Sequence, residues 1–533
     1  MAQKKPHIII FNPDQMRADS LGHLGNPASV TPHLDRFAQR DAISFSNAYC
    51  QNPVCVPSRC SFFTGLYPHT RGHRTMAHLL HPGETSLLQE LKENGYYVWM
   101  NDRNDLTAGQ IPGWTESHAD EIYYCGQVKR APGPIKPLRG KPGEKYYYSH
   151  YEGQLGLDEK QQNYNSDDEA VDAAIHRIQN PADDRALCMF LGLFYPHPPY
   201  QVEEPFFTDI DRAKLPKRIR AEDCTRKAKI LDVIRGYQGM ERFTETDYAE
   251  LRAVYLGMCK KIDAQFGRLI QALKNRGIYD DCAIFFLSDH GDFTGDYDLV
   301  EKCQNSFEDC LTRVPLLIKP PQGTKYTPGI TPALTELVDF YATVMDLAGT
   351  EPSHTQFGHS LRPVLSDHGL EHRKYVFCEG GRMPGEYHCD EYHEYGEQGA
   401  SPASVYWPKM KAQTDDEAHS KGIMIRDHEY KYVSRSLGQD EFYDLKADLH
   451  ETKNEIDNPD YQNKIIEMRL AMLKWLQATD DIVPYEYDRR FTPEMTWARV
   501  RNLVLPEDVE RVKQMIAEGR KLPEIMQYCR SRR

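Results

Sequence analysis

The chain has 533 residues, of which 40% are hydrophobic and 27% are charged. This balance is typical of a soluble globular protein, and the length allows one large domain with a sizeable core plus smaller ones. The formal net charge of −14 at pH 7 argues against a nucleic-acid or anionic-membrane surface, because both of these bind basic footprints. We therefore expect neither nucleic acid nor a membrane as a partner.

The N-terminal segment MAQKKPHIIIFNPDQ does not have the pattern of a secretory signal peptide, because its short apolar run ends at Asn12. No later run approaches the roughly 20 apolar residues that a membrane-spanning helix needs. The 13 cysteines are odd in number and scattered, which favours free thiols in a reducing compartment over a disulfide framework. The sequence therefore predicts a cytoplasmic protein.

Short apolar strands alternate with amphipathic helices through the first part of the chain. The first strand, HIIIF at 7–11, is followed at once by the polar NPDQ. A helical pattern at 169–179 precedes a strand segment at 186–194, and a long helical pattern at 248–277 precedes the segment 282–292, an apolar strand that ends in charged and histidine-bearing loop residues. Because these strands are uninterrupted apolar runs, they predict an α/β fold with a mostly parallel sheet covered by helices on both faces.

The pattern changes after about residue 375. An aromatic and glycine-rich stretch at 380–408 reads as a long loop, and 421–435 and 440–448 read as antiparallel strands of a smaller sheet. Amphipathic helices follow at 461–479 and 507–519. The predicted division is a catalytic α/β domain at 1–375, a C-terminal α+β subdomain at 376–480, and a C-terminal extension at 481–533 that is a candidate homo-oligomer contact.

Polar side chains follow the predicted strands at the points where the strands end. In a parallel sheet these carboxyl ends meet at one edge, where ligands bind. A carboxylate after the first strand and an Asp-His pair after a distant strand form a plausible oxygen/nitrogen site for a divalent cation, with Ca²⁺, Mg²⁺ or Mn²⁺ preferred over zinc. The residues collected in this way are Asp14, Gln15, His197, Asp289, His290 and Asp292.

The stretch NPVCVPSRCSFFTGLYPHTRG at 52–72 raises the question of what Cys55 does. A structural zinc site is disfavoured, because Cys50, Cys55 and Cys60 form no closely spaced pair. A phosphatase-type cysteine is disfavoured as well, because Arg59 lies only four positions after Cys55. Two readings remain open. One is a plain buried thiol, and the other is an anionic or reactive group at a positively polarised helix start.

The segment CVPSRCSFFTGLYPHTRG resembles the signature of the type I, formylglycine-dependent sulfatases of the alkaline phosphatase superfamily, which is Cys-x-Pro-Ser-Arg followed by a Thr-Gly turn. Other blocks resemble that family in the same order, and together they cover residues 6 to 475. The resemblance implies a large mixed sheet sandwiched by helices, a smaller C-terminal antiparallel sheet plus helix, and a sulfuric ester hydrolase. The supporting blocks are HIIIFNPDQMRADSLG, TPHLDRFAQRDAISFSNAYC, AIFFLSDHGDFTGDYDLVEK, RVPLLIKPP and DEFYDLKADLHETKN.

The resemblance also implies the chemistry of Cys55. In that family a maturation enzyme oxidises the cysteine to Cα-formylglycine (3-oxoalanine), and the aldehyde is hydrated to a geminal diol. One hydroxyl attacks sulfur and displaces the alcohol, and the second then expels sulfate and regenerates the aldehyde. The implied partners of this chain are therefore a sulfate ester and a formylglycine-generating enzyme.

The family pattern assigns roles to residues of this chain. The implied metal ligands are Asp14, Cys55, Asp289 and His290, with Ca²⁺ as the first choice and Mg²⁺ or Mn²⁺ as alternatives. Arg59 neutralises the nucleophile, and Lys302 binds the sulfate oxygens. His197, in YPHPPY, protonates the leaving oxygen, a task that suits a histidine.

Three departures from the common family pattern shape the prediction of substrate contacts. Pro13 precedes Asp14 where many members have a second aspartate, a variant that resembles the choline sulfatase and phosphonate monoester hydrolase branches. The metal pair is Asp-His rather than the more common Asp-Asn, as in the phosphonate hydrolase branch. The block NDRNDL stands where the family has Gly-Lys-Trp-His. The predicted substrate-binding residues are therefore Arg103, Asn104 and Asp105, together with His73.

The leading hypothesis is a hydrolase of a sulfated carbohydrate or small sulfated metabolite. A sugar is favoured by Asp105 and by the tyrosine- and histidine-rich loop at 385–398, which offers hydrogen bonds and stacking faces. The first alternative is a phosphonate monoester or phosphate diester hydrolase of the same superfamily. The second is a non-catalytic binding protein on the same fold, which the intact set of ligands makes the least favoured.

Overall fold

The computed structural model describes residues 5–127, 131–386, 401–485 and 490–533. The chain forms two compact units, Met1–Ile482 and Val483–Arg533. None of the described helices is long and apolar enough to cross a membrane.

The strands, in chain order, are β1 (His7–Pro13), β2 (Ile43–Tyr49), β3 (Tyr97–Asn101), β4 (Glu121–Tyr123), β5 (Tyr151–Gln154), β6 (Leu187–Leu193), β7 (Tyr200–Val202), β8 (Cys282–Leu287), β9 (Arg313–Val314), β10 (Leu316–Lys319), β11 (Gly329–Glu336), β12 (Val376–Gly380), β13 (Gly422–Arg426), β14 (Tyr430–Arg435) and β15 (Glu441–Asp444).

The α-helices, in chain order, are α1 (Pro32–Arg40), α2 (Cys55–Thr64), α3 (Pro68–Arg71), α4 (Leu87–Glu93), α5 (Trp114–Ser117), α6 (Ser166–Gln179), α7 (Lys229–Gln238), α8 (Glu245–Arg276), α9 (Asp309–Thr312), α10 (Val338–Ala348), α11 (Arg362–Ser366), α12 (Trp407–Ala412), α13 (Gln462–Thr479), α14 (Pro493–Val500), α15 (Val509–Ala517) and α16 (Leu522–Ser531).

The large sheet has the strand order β11-β2-β10-β8-β1-β6-β3-β4, and β9 pairs with β2 at one side. The pairs of β1 with β6 and β8, of β3 with β4 and β6, and of β2 with β11 are parallel. Strand β10 runs antiparallel to both of its neighbours. The prediction of a large mixed, mostly parallel sheet is therefore confirmed.

Strand β1 lies in the middle of this sheet because both of its faces are apolar. Successive side chains of a strand point to opposite faces. Ile8 and Ile10 accordingly belong to one hydrophobic core, and Ile9 and Phe11 belong to the other. All four side chains are fully buried, so helices cover the sheet on both sides, as the continuous apolar run predicts.

The longest helix, α8, shows how sequence sets the element boundaries. Thr244 accepts a hydrogen bond from the backbone of Asp247, whose carboxylate in turn accepts from the backbone of Thr244, a capping box that starts the helix. Gly277, at a φ of +75°, ends it in the left-handed conformation that glycine adopts most easily. The structure contains the helix predicted at 248–277, and this helix begins three residues earlier than predicted.

The smaller sheet has the order β12-β13-β14-β15 and is antiparallel throughout, as predicted. Helix α13 packs on it through Trp475, whose ring is stacked on Phe377 at a centroid distance of 4.4 Å. Within the stretch predicted as a loop, 387–400 lies outside the described residues, and α12 begins at Trp407 with Pro408 in its first turn. The loop prediction is wrong at Trp407 and Pro408, which lie in the first turn of α12, where proline is tolerated because its missing N–H needs no partner.

The unit Val483–Arg533 has a small apolar core of its own, formed by Val500, Val512, Ile525 and their neighbours. The helical pattern at 507–519 corresponds to α15, and the structure adds α14 before it and α16 after it. Each added helix carries a proline at its start, a signal that sequence reading could have used.

Phe340, on α10, joins the helix that carries Cys55 to the central sheet. Its ring meets those of Phe62 at 5.7 Å and Phe285 at 5.1 Å, both edge-on, and the side chain is fully buried. We expect Phe340→Ala to lower the free energy of unfolding by about 3–5 kcal/mol, because it deletes a buried ring and leaves a cavity. Urea unfolding followed by tryptophan fluorescence measures this loss. Phe340→Leu should lose less, and an unchanged midpoint for the alanine variant would contradict the packing argument.

Candidate active site

The site lies where β1 and β8 end side by side. Asp14 directly follows β1 and donates its backbone N–H to Leu193 O at 3.2 Å, and Asp289 comes two residues after β8. Because these strands are parallel neighbours, their carboxyl ends meet at the same edge. Gln15 has a left-handed φ of +67° and donates its N–H to Asp289 Oδ1 at 3.0 Å. The turn thus ties the two strand ends together.

Helix α2 begins at Cys55, so its N-terminus presents this side chain to the strand ends. All residues of the helix are buried, and Ser58 Oγ donates to Asp289 O at 2.6 Å. Gly65 ends the helix at a φ of +69°, and a Cβ there would lie 2.9 Å from the side chain of Gln356. The partial positive charge of a helix N-terminus therefore falls on Cys55.

The predicted metal ligands come together in this place. One ligand atom from each of Asp14, Cys55, Asp289 and His290 lies within 4.8 Å of all the others, and all four side chains are buried. Cys55 Sγ is 3.4 Å from Asp14 Oδ1 and 3.1 Å from His290 Nε2. Sequence reasoning selected Asp14, Asp289 and His290 from strand ends and Cys55 from the family signature, and their role as metal ligands stays a prediction.

His290 faces this cluster through Nε2. Its other ring nitrogen, Nδ1, donates to Gly291 O at 2.9 Å, an arrangement that leaves Nε2 with a free lone pair. Burial lowers the pKa of His290, which favours the neutral imidazole that binds a metal. Two carboxylates and one neutral imidazole are a donor set that suits a divalent cation.

Arg59 holds both carboxylates of the cluster. Its Nε donates to Asp289 Oδ2 and its Nη2 to Asp14 Oδ2, each at 2.9 Å, and the side chain is fully buried. Burial alone would lower the pKa of Arg59, but Asp289, Asp105 and Asp14 raise it above its ordinary value. In each carboxylate Oδ2 therefore accepts a hydrogen bond from Arg59, and Oδ1 faces Cys55 or His290.

Arg103 is a second cation on Asp14. Its Nη2 lies 2.5 Å from Asp14 Oδ2, its guanidinium carbon lies 4.7 Å from the centre of the Phe194 ring, and 27% of its side chain is exposed. Burial opposes ionisation of Asp14, yet Arg103 and Arg59 hold the pKa of its carboxyl well below its usual range. Asp14 is therefore a carboxylate at neutral pH.

Lys302 and His197 meet beside Cys55. Lys302 Nζ lies 2.8 Å from His197 Nε2, 3.2 Å from Gln15 Oε1 and 3.4 Å from Cys55 Sγ. His197 Nδ1 donates to Pro198 O at 2.7 Å, so Nε2 is the nitrogen that faces the site. The structure thus groups these residues, which the sequence drew from three distant segments.

The other predicted substrate contacts differ in their surroundings. Asp105 Oδ2 lies 3.4 Å from Arg59 Nη1, and its side chain is 31% exposed. Asn104 Oδ1 accepts from the backbone of Leu106 at 2.8 Å and of Thr107 at 3.1 Å, so the side chain stabilises its own turn. The described contacts of His73 are with Glu84 Oε1 and His78 O, each at 2.9 Å, rather than with the metal ligands. The roles of Asn104 and His73 stay predictions.

Two charged residues of the site were missed by sequence reasoning. Glu301 Oε1 lies 3.3 Å from Lys302 Nζ, and Lys409 Nζ forms an ion pair with Glu301 Oε2. Glu301 is adjacent to Lys302 in the chain, which was an available signal. Lys409 directly follows the stretch predicted as a loop, and no pattern around it pointed to the site.

The two cysteines that flank Cys55 pack in the hydrophobic core. Cys50 and Cys60 are buried, and both belong to the hydrophobic core that packs α2. The described cysteines are all free thiols. Cys55 is therefore distinguished from its neighbours by its position at the helix start among charged groups.

Comparisons with known proteins show which family the chain is similar to. The sulfatase family model matches residues 6–350. Arylsulfatase K of Danio rerio is 27% identical over 406 residues, 70% of this chain and 71% of that protein. The choline-sulfatase of Rhizobium meliloti is 28% identical over 482 residues, 86% of this chain and 84% of that protein.

Solved structures are similar in fold. The phosphonate monoester hydrolase of Agrobacterium radiobacter superposes with a TM-score of 0.71 at 21% identity, over 91% of this chain and 98% of that one. A protein solved with its substrate D-glucosamine-2-N,6-O-disulfate gives a TM-score of 0.67 at 19% identity, over 91% of this chain and 100% of that one.

Proposed function

The chain belongs to the sulfatase family and is a sulfuric ester hydrolase, and we propose that it acts on a sulfated carbohydrate or a small sulfated metabolite through a formylglycine made from Cys55. The observation that carries the proposal is the position of Cys55 at a buried helix start, within reach of two carboxylates and His290. A cytoplasmic location and a homo-oligomer stay predictions.

One divalent cation belongs to the proposal, with Ca²⁺ first and Mg²⁺ or Mn²⁺ as alternatives. The donor set of Asp14, Asp289 and His290 fits such an ion, because two carboxylates balance its charge and the imidazole offers a lone pair. The cation would lower the pKa of the hydroxyl at position 55 and offset its negative charge. Arg59 keeps the two carboxylates in place for this task.

The remaining polar groups of the site would bind the sulfate, protonate the leaving oxygen and contact the rest of the substrate. Lys302 and Arg103 offer cationic N–H groups to the sulfate oxygens, in a buried place where each charge acts strongly. His197 presents Nε2 beside Lys302. In the imidazolium form, with Nδ1–H donated to Pro198 O, it would carry the Nε2–H that gives a proton to the leaving oxygen. Asp105, partly exposed next to Arg59, would accept a hydrogen bond from a hydroxyl or amine of the substrate.

A second candidate function is hydrolysis of a phosphonate monoester or phosphate diester. The observation that favours it is the presence of Asp14-Gln15 after β1, of His290 after β8 and of His197, together with the fold shared with a phosphonate monoester hydrolase. Measuring kcat/KM for an aryl sulfate, a phosphate diester, a phosphonate monoester and sugars sulfated at defined positions, with one preparation, separates the two. We expect the sulfate esters to be best, and a preference for the phosphonate would overturn the first proposal.

Asp289→Asn is expected to weaken Ca²⁺ binding at least about tenfold, because it removes one of the two charges that balance the ion. Calorimetric titration of protein made without the maturation enzyme measures this affinity apart from turnover. Asp183→Asn, at a surface carboxylate paired with Arg185, is the matched control and should bind as the wild type does. Equal affinity in the Asp289 variant would contradict its assignment as a ligand.

A further inference from the structure

Glu301 carries a buried carboxylate between two ammonium groups. Its side chain has no exposed surface, and its two oxygens face Lys302 and Lys409 separately. A carboxylate removed from water is costly unless cations and hydrogen bonds compensate it. The two lysines are the cations that face this carboxylate and offset its charge.

The backbone of Glu301 is fixed on both sides. Its φ is +67°, a left-handed conformation that is unusual for a residue other than glycine. Its N–H donates to Tyr200 Oη at 2.8 Å, and its carbonyl accepts from Phe293 N at 3.2 Å. Because these two hydrogen bonds hold the main chain of Glu301, its carboxylate is positioned between the two lysines.

Lys409 reaches this carboxylate from α12, far along the chain. Its side chain is 14% exposed, and it lines with Lys302 a small cavity of about 20 Å³ next to Val54, the residue before Cys55. That volume is about the size that one water occupies. The two ammonium groups therefore belong to one charged cluster at the catalytic centre.

The charges of this cluster decide how strongly Lys302 can attract an anion. Lys302 and Glu301 alone would be a neutral pair, and the carboxylate would compete with sulfate for the ammonium of Lys302. Lys409 occupies the other oxygen of Glu301. Burial lowers the pKa of Lys409 to about 7, and in its protonated form Lys409 leaves the trio with one net positive charge. The anionic sulfate group of an ester is then bound more strongly by Lys302.

We propose that Lys409 is a positioning residue for the sulfate group, which acts through Glu301 by holding the ammonium of Lys302 beside Cys55 and by keeping its positive charge available. This inference rests on the proposed function of Lys302 as the ligand of the sulfate oxygens. It gives α12 a task at the active site, although α12 lies outside the segment that the family model matches.

The test is a double-mutant cycle of Lys409→Met and Glu301→Gln. Lys409→Met should lower kcat/KM for a sulfate ester by about 10- to 100-fold, because Glu301 then pairs with Lys302 alone. The double variant E301Q/K409M should recover to within about fivefold of the wild type, since the carboxylate that needed neutralising is gone. Lys409→Arg keeps the charge and should stay within about threefold.

A measurement of sulfate binding complements the kinetic test. Inorganic sulfate is titrated calorimetrically into protein made without the maturation enzyme, and Lys409→Met should raise its Kd about tenfold while the double variant restores it. Lys411→Met is the matched control on the same helix, where the ammonium lies over the ring of Trp407. It should leave both measurements unchanged, and thermal midpoints check that each variant folds.

Each outcome decides the question. Wild-type values for Lys409→Met, or a double variant as impaired as Lys409→Met, overturn the inference, because Lys409 would then act alone or not at all. A wild-type enzyme that cleaves no sulfate ester, yet shows the cycle in sulfate binding, refutes the proposed substrate and leaves the inference about Lys409 standing.

Discussion

Cys55→Ser is expected to lower kcat for sulfate esters by a factor on the order of 10³ or more, because the proposed nucleophile is a hydrated aldehyde and not a simple hydroxyl. A serine hydroxyl can attack sulfur once, from the same helix start among Asp14, Asp289 and His290. It has no second hydroxyl whose deprotonation would expel the sulfate. The variant should therefore release about one equivalent of alcohol and remain as a sulfated adduct.

Mass spectrometry tests this on both proteins. In the wild type made with a maturation enzyme, the tryptic peptide 41–59 should carry a carbonyl in place of the thiol at Cys55, and fragment ions distinguish it from Cys50. In the serine variant the same peptide should gain sulfate after incubation with substrate. Cys60→Ser, one turn along the same buried helix, is the control and should keep its activity within a few fold. Full activity together with an unmodified Cys55 would contradict the proposal.

The parts of the site that lie on strand ends could be predicted from the sequence. Asp14 and Asp289 follow apolar runs, and parallel pairing of those runs brings their ends to one edge whatever the details of the loops. Arg59 was equally accessible, because it lies one turn after Cys55 on the same helix. Local patterns therefore sufficed wherever a regular element fixes the geometry.

The parts that depend on loop packing could not be predicted. Glu301 and Lys409 meet because two segments far apart in sequence fold over the same strand ends, and neither segment has a periodic pattern that sets its position. The side chain of Asn104 accepts hydrogen bonds from its own turn, a local contact typical of asparagine that the sequence analysis did not predict, and its contact with substrate stays a prediction. Such contacts are decided by tertiary structure.

His197→Ala is expected to lower kcat/KM by different factors for substrates with different leaving groups. For an alkyl sulfate, whose alcohol leaves poorly without a proton, kcat/KM should fall by about 10²- to 10⁴-fold, the usual contribution of a general acid. For 4-nitrophenyl sulfate, whose phenolate leaves unaided, the loss should be less than about tenfold. The reason is the position of Nε2 beside Lys302 with Nδ1–H held by Pro198 O.

A second variant separates proton transfer from the positioning of Lys302. The side-chain oxygen in His197→Gln can still accept from Lys302 Nζ, but glutamine gives no proton to a leaving oxygen. It should therefore lose activity on the alkyl sulfate as His197→Ala does while keeping the affinity for inorganic sulfate. His428→Ala, at an exposed histidine, is the control and should match the wild type on both substrates. If glutamine instead restores hydrolysis of the alkyl sulfate, then His197 only holds Lys302, and the proton must come from another group.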